Sequence, residues 1–199
     1  MIHGDAEVRF VNPLIGYGVF ATKLIPKGTI TWVGDPLDQV ITQEQALRWP
    51  AITRELLNKY SYLNGRNQRI LCWDHARIVN HSCNATCLAP GFDFEIAVRD
   101  ILPGEEITDD YGTLNLEEEF ECQCDARECR GMIRPDDMLS LAPYWDAAVA
   151  AAFPLLRRVD QPLWELVTDK ETVLAASKGE IPVPSCRVHY SGLSPVAGG

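Results

Sequence analysis

Three cysteines, Cys122, Cys124 and Cys129, crowd the stretch ECQCDARECRG at residues 121–131 in the spacing C-x-C-x4-C. Thiolates so close together suit a zinc ion, and a closed structural zinc site takes four tetrahedral ligands, so one ligand must come from elsewhere. A loop this short buries too little apolar surface to order itself, and metal binding would supply its folding free energy. Three further stretches carry residues with chemical potential: GYG at 16–18, RIVNHSC at 77–83 and GEEITDDYG at 104–112. Gly16 and Gly18 suit either a plain strand turn or a backbone that must come close to a ligand. His81 reads equally as a satisfied core imidazole. Tyr111 has a hydroxyl for a reacting group or for a core hydrogen bond.

Those residues need elements to position them. From Val8 to Trp32, β-branched and aromatic runs alternate with Gly/Pro punctuation, the signature of short strands joined by turns. The segment ITQEQALRWPAITRELLNKY carries a Thr42/Gln45 capping box and helical spacing interrupted by Pro50, which predicts one or two short helices. Residues 61–112 return to short strands, the clearest in FDFEIAVRDI, where Phe92, Phe94, Ile96 and Val98 fall on one face. After the cysteines, PDDMLSLAPYWDAAVAAAF and QPLWELVTDKETVLAAS predict two helices, the second stopped by Gly179. The last twenty residues, rich in Pro, Gly and Ser, read as a loose tail.

The chain has 199 residues, 46% of them hydrophobic, enough for one domain with a real core. The opening MIHGDAEVRF has no apolar centre and is no signal peptide, and no apolar run reaches membrane-spanning length. The chain therefore reads as soluble and intracellular, cytoplasmic or nuclear. Seven cysteines in a reducing compartment favour thiols or metal ligation over disulfides; Cys72, Cys87 and Cys186 lack metal spacing and read as buried or free thiols. A formal charge of −10 and a pI near 4.8 argue against direct nucleic-acid binding and towards basic partners.

In chain order, GYG, NHSC, the DDYG end and the cysteine cluster resemble the SET-domain protein lysine methyltransferases followed by a post-SET zinc motif, over roughly residues 6–133. The resemblance implies a mainly β, SET (β-clip) fold of short twisted sheets around a threaded C-terminal segment. Its parts would be a SET domain at 6–113 with a helical insert about 41–60, a post-SET zinc loop at 118–134, a helical C-terminal appendage at 135–178 and a flexible tail at 180–199. It implies that Cys83 is the missing ligand, so that Cys83, Cys122, Cys124 and Cys129 hold one structural zinc. It further implies that Gly16, Tyr17, Gly18, Asn80 and His81 bind S-adenosylmethionine, the last through its main chain, and that Tyr111 is catalytic. The expected activity is methylation of a lysine in a basic protein, a histone or another lysine-rich chain.

The chemistry is an in-line displacement in which a lysine amine attacks a sulfonium methyl. An unperturbed lysine has a pKa of about 10.4, so favouring the neutral amine at neutral pH costs roughly 4 to 5 kcal/mol, which an apolar channel and the sulfonium charge would help to meet. The sequence departs from the family where Ala85 and Thr86 replace the usual Pro-Asn after NHSC, where no cysteine-rich module precedes the domain, and where Met132 replaces an aromatic residue after the last C-x-G. The sharpest departure is Asp109, where the family places Phe or Tyr in the substrate channel. A carboxylate about 4 Å from the amine would attract its ammonium form by about 4 kcal/mol at an effective dielectric near 20. The alternative reading is accordingly a SET-derived protein that does not methylate lysine, either a binding module or an enzyme redirected to a small molecule.

Overall fold

The computed structural model describes residues 1–192. Twelve short strands and four helices follow in the order β1 (Ala6–Asn12), β2 (Gly16–Ala21), β3 (Ile30–Val33), β4 (Gln39–Ile41), α1 (Gln43–Leu47), α2 (Ala51–Tyr60), β5 (Tyr62–Leu63), β6 (Arg69–Leu71), β7 (Asn80–His81), β8 (Cys87–Leu88), β9 (Phe94–Ala97), β10 (Glu106–Asp109), β11 (Phe120–Glu121), β12 (Met132–Ile133), α3 (Asp137–Ala152) and α4 (Lys170–Lys178). They form four small sheets, ordered β1-β2-β10-β7, β3-β9-β8, β4-β6-β5 and β11-β12. Every pairing is antiparallel except β10 with β7, where Thr108 faces Asn80 and Asp109 faces His81. Strands dominate up to Ile133, so the mainly β expectation describes that part of the chain, and helices dominate the rest.

Local chemistry accounts for the elements. Thr42 and Gln45 exchange side-chain and backbone hydrogen bonds in a full capping box, and Pro50, which cannot continue α1, starts α2 instead. The second expected C-terminal helix is shorter than its periodicity suggests. Asp169 accepts from the Thr172 N–H and so opens α4 there, while Trp164–Leu166 form a separate 3-10 turn. Gly179 closes α4 in the left-handed region at φ 76°.

The largest core lies between the β3-β9-β8 sheet and the C-terminal helices. Ile30, Phe94 and Ile96 meet Met138, Trp145, Val149 and Phe153, all nearly free of solvent contact. Residues 135–178 are therefore no appendage: without α3 the sheet would expose its apolar face. Part of the expected loose tail also packs down. Pro143 has no N–H for the Leu139 carbonyl, and Arg187 Nη2 donates to that carbonyl at 2.5 Å instead. Cys186 is buried in the core, and Asn115 Nδ2 donates to the His189 carbonyl at 2.9 Å. Residues 193–199 of the expected tail lie outside the described residues. No described helix is long and apolar enough to cross a membrane.

Candidate active site

Tyr111 opens a 3-10 turn directly after β10, capped by Asp110, whose Oδ1 accepts from the Gly112 N–H at 3.0 Å. The Asp110 carboxylate also takes both guanidinium nitrogens of Arg130, at 2.6 and 2.7 Å, and the indole N–H of Trp145 at 3.1 Å. A buried carboxylate so fully bonded is rigid. Gly112 lets the turn pack closely on Trp145, since a Cβ there would lie 3.0 Å from the ring. The Tyr111 hydroxyl donates to the Val79 carbonyl at 2.6 Å. Burial, reinforced by the negative field of Asp109, Glu95 and Glu106, pushes the phenol's pKa up, so it stays protonated.

On one side of Tyr111 lie β2 and β7, flanking β10. Asn80 Nδ2 donates to the Tyr17 carbonyl at 3.1 Å and to Glu106 Oε1 at 2.7 Å, which ties the GYG strand to NHSC. A Cβ on Gly18 would fall 2.1 Å from Glu106 Oε1 and 2.8 Å from Asn80 Nδ2, so a side chain here would displace the Asn80–Glu106 pair. β7 is an edge strand, and an edge leaves outward main-chain groups for a ligand. The Gly16–Gly18 strand, the Asn80 side-chain oxygen and the β7 edge thus suit a polar cofactor that binds largely through backbone.

The third component is the cysteine cluster. His81, Cys83, Cys122 and Cys124 place one ligand atom each within 4.8 Å of one another. Cys83 Sγ is 3.7 Å from Cys122 Sγ, close to the ~3.8 Å that tetrahedral Zn–S bonds of about 2.3 Å dictate. Backbone N–H groups of Cys83, Arg130 and Gly131 point at the sulfurs of Cys124, Cys83 and Cys129, each at 3.4 Å, a surrounding suited to thiolates. Burial opposes ionisation of Cys124, but the Cys83 and Ala126 N–H groups and the neighbouring thiols bring it down to about 7. The set could hold a zinc ion. Cys129 is outside the four, its thiol 3.9 Å from the Cys122 carbonyl and its sulfur in hydrogen-bond contact with those of Cys122 and Cys124. His81 takes its place in the group because its Nε2 is 3.3 Å from Cys83 Sγ. The ring's other nitrogen, Nδ1, accepts the Tyr111 N–H at 3.0 Å. Burial pushes the imidazole's pKa down, towards its neutral form, in which the proton sits on Nε2 and points at the Cys83 sulfur.

On the other side of Tyr111 a cavity of about 810 Å³ opens, lined among others by Trp32, Tyr62, Phe94, Glu95, Asp109 and Tyr111. Asp109 is only 4% exposed and faces this space, with burial and then the charges of Glu95 and Asp110 raising its pKa well above the carboxylate range. Asp38, Asp93, Glu117 and Glu165 add acidic groups to the lining. Sequence reasoning missed Glu95, Arg130, Trp145 and Phe120. Phe120 brings its ring to 6.2 Å from Tyr111 and 6.1 Å from His81, centroid to centroid, so the cysteine hairpin touches the tyrosine directly. The mixed spacing of ECRG next to an acid-rich DDYG was the available signal for the Arg130–Asp110 pair.

Residues 16–112 match the SET domain family model. The chain is 30% identical over 135 residues, 59% of its length, to the histone-lysine N-methyltransferase Set2 of Drosophila melanogaster. It is 38% identical over 65 residues, 29% of its length, to the H3 lysine-4 specific histone-lysine N-methyltransferase of Schizosaccharomyces pombe. It spans 6% and 7% of the lengths of these two relatives.

Proposed function

Because this chain belongs to the SET-domain lysine methyltransferase family, we propose that it is a methyltransferase that moves a methyl group from S-adenosylmethionine to a lysine of a basic protein. One observation carries the reading: Tyr111 directly follows β10, whose neighbours are the glycine strand β2 and the asparagine strand β7, and it lines the cavity, its hydroxyl bonded to the Val79 carbonyl. On this reading the short sheets are the SET fold and the chain through Tyr111 is its threaded segment, with Ser82 N–H bonded to the Asp109 carbonyl and Thr86 N–H to that of Thr108.

Gly16, Tyr17, Gly18, Asn80 and the main chain of His81 would hold the cofactor, which supplies an activated methyl group. Cys83, Cys122, Cys124 and Cys129 would hold one structural zinc, with His81 Nε2–H donating to Cys83. Tyr111 and the Val79 carbonyl orient the amine, so that positioning supplies much of the rate. The acceptor enters through the cavity, where the acidic lining attracts lysine- or arginine-rich sequence. The two relatives are by name histone-lysine N-methyltransferases, and a histone tail is the first acceptor to try.

A second reading has its own observation. Asp109 occupies the cavity wall at 4% exposure, so a carboxylate stands where the family has an aromatic ring, which suits an acceptor other than lysine. Mass spectrometry of arrayed lysine peptides incubated with the full chain and methyl-labelled cofactor separates the two. Label on lysine supports the first reading, and label on none of them while a small-molecule amine is methylated supports the second.

A further inference from the structure

Glu95 lines the cavity but has been given no chemical role so far. It lies in β9 between Phe94 and Ile96, and strand alternation turns it away from those two core residues. The face it reaches is the cavity that Asp109 and Tyr111 also line. Glu95 is half-buried, and among the described residues its carboxylate has no hydrogen-bond or ion-pair partner. Asp109 uses only Oδ1, which accepts from the Asp110 N–H at 2.7 Å. The groups facing this pair are Asp110, neutralised by Arg130, and the Met1 amino group, held by Asp35 at 2.8 Å. Tyr62, Tyr111, Cys72 and Cys87 complete the titratable surroundings, each driven by burial towards its neutral form. The cavity is also lined by Arg69, paired with Glu117, by Lys59, set over the Tyr60 ring, and by Arg77, which donates to the Trp73 carbonyl; with these cations engaged elsewhere, the two carboxylates suit an incoming cation that can give up a proton.

We propose that Glu95, within electrostatic reach of Asp109, is the proton acceptor for the target lysine ammonium. The inference rests on the methyltransferase reading and adds the base that reading lacks. One N–H proton passes from the lysine Nζ to a carboxylate oxygen of Glu95, leaving a neutral amine and a carboxylic acid. The freed lone pair forms the new N–C bond as the C–S bond of the sulfonium breaks, with its electron pair left on sulfur. The product is a methylated ammonium, and the proton on Glu95 returns to water through the cavity. Asp109 stands beside it with its own proton held by burial and by the charge of Glu95. Burial, chiefly, places the Glu95 pKa at about 7, in the range where a carboxylate works as a base at physiological pH.

The test is the pH profile of methyl transfer by the full chain to recombinant histone H3 and to arrayed lysine peptides, for wild type, Glu95→Gln and Asp109→Asn, alongside carbon NMR titration of labelled Glu and Asp carboxyls. Glu95→Gln removes a buried charge without changing shape, and a melting curve at or above that of wild type verifies that it folds. The expected result is a Glu95 resonance titrating near neutrality, and in Glu95→Gln a loss of about a hundredfold at pH 7, as expected for a missing general base. That loss should shrink towards pH 10 as solvent deprotonates the lysine, with cofactor affinity unchanged. Asp109→Asn, which replaces a group already held towards its neutral form, should leave the pH at which the Glu95 resonance titrates close to that of wild type. A Glu95 resonance titrating below pH 5, or Glu95→Gln with a wild-type rate and profile, overturns the proposal while leaving the methyltransferase reading intact. A wild type that methylates no lysine at any pH overturns that reading, and the role of Glu95 with it, whatever the resonance does.

Discussion

Tyr111 donates its hydroxyl to a backbone carbonyl and keeps its lone pairs free towards the cavity, so its ring and its oxygen have separable duties. Replacing it with Phe should leave the fold and cofactor affinity nearly intact and remove most turnover, read as kcat falling with little change in KM. Asn80→Ala should weaken cofactor binding by about 1 to 3 kcal/mol, since a polar group then loses its partner, and isothermal calorimetry with the cofactor measures that directly. Tyr111, Asn80 and Asp109 were legible because each sits in a short motif with fixed neighbours. Glu95 was not. In FDFEIAV the alternation assigns it to the face away from the core, and alternation does not reveal whether that face meets water or a cavity. The cysteine set was legible for its sulfurs only, because the contact of His81 Nε2 with Cys83 depends on how β7 pairs with β10.

Between elements, the Asp110–Arg130 pair is the joint that matters most. It links the cysteine hairpin β11-β12 to the Tyr111 turn and, through Trp145, to α3. Arg130→Ala leaves the Asp110 carboxylate buried and unpaired, and breaking such a pair costs about 3 to 5 kcal/mol. The expected outcome is a lower melting temperature together with lost turnover, while Arg130→Lys, which cannot make the two-pronged contact, recovers only part of either. On the proposed zinc assignment, treatment with a chelator should loosen the same hairpin. Hydrogen exchange should then rise over residues 118–134 and over the Tyr111 turn that Phe120 and Arg130 contact, with the β3-β9-β8 sheet unaffected. The helix starts at Thr42 and Asp169 and the stop at Gly179 follow from capping chemistry written in the sequence. The docking of Arg187 onto Leu139 does not, because it answers a carbonyl left open by Pro143 nearly fifty residues earlier.

Over the whole molecule, the buried acids make stability depend on pH. The Glu95 pKa rises from its ordinary 4.5 to about 7 on folding, chiefly through burial. The folded state therefore holds the proton more tightly than the unfolded one, and the contribution is fully present below pH 4.5 and lost as pH rises through about 7. Asp109 acts in the same direction. Melting temperature should fall between pH 5 and 8, and Glu95→Gln should flatten that slope. The succession of short strands was legible from punctuation and β-branched runs, whereas the shared core of sheet and C-terminal helices was not, since Ala-rich helices such as α3 show no narrow apolar stripe to say what they cover. On the proposed reading, the net charge of −10 and the acidic groups of the cavity suit a basic acceptor. The central claim, that this chain methylates lysine through Tyr111, is tested most directly by incubating wild type and Tyr111→Phe with methyl-labelled S-adenosylmethionine and recombinant histone H3 or arrayed lysine peptides, then locating the label by mass spectrometry. The account predicts label on lysine Nζ with wild type and almost none with Tyr111→Phe; equal labelling by the two proteins, or no labelled lysine with wild type that binds the cofactor, would contradict it.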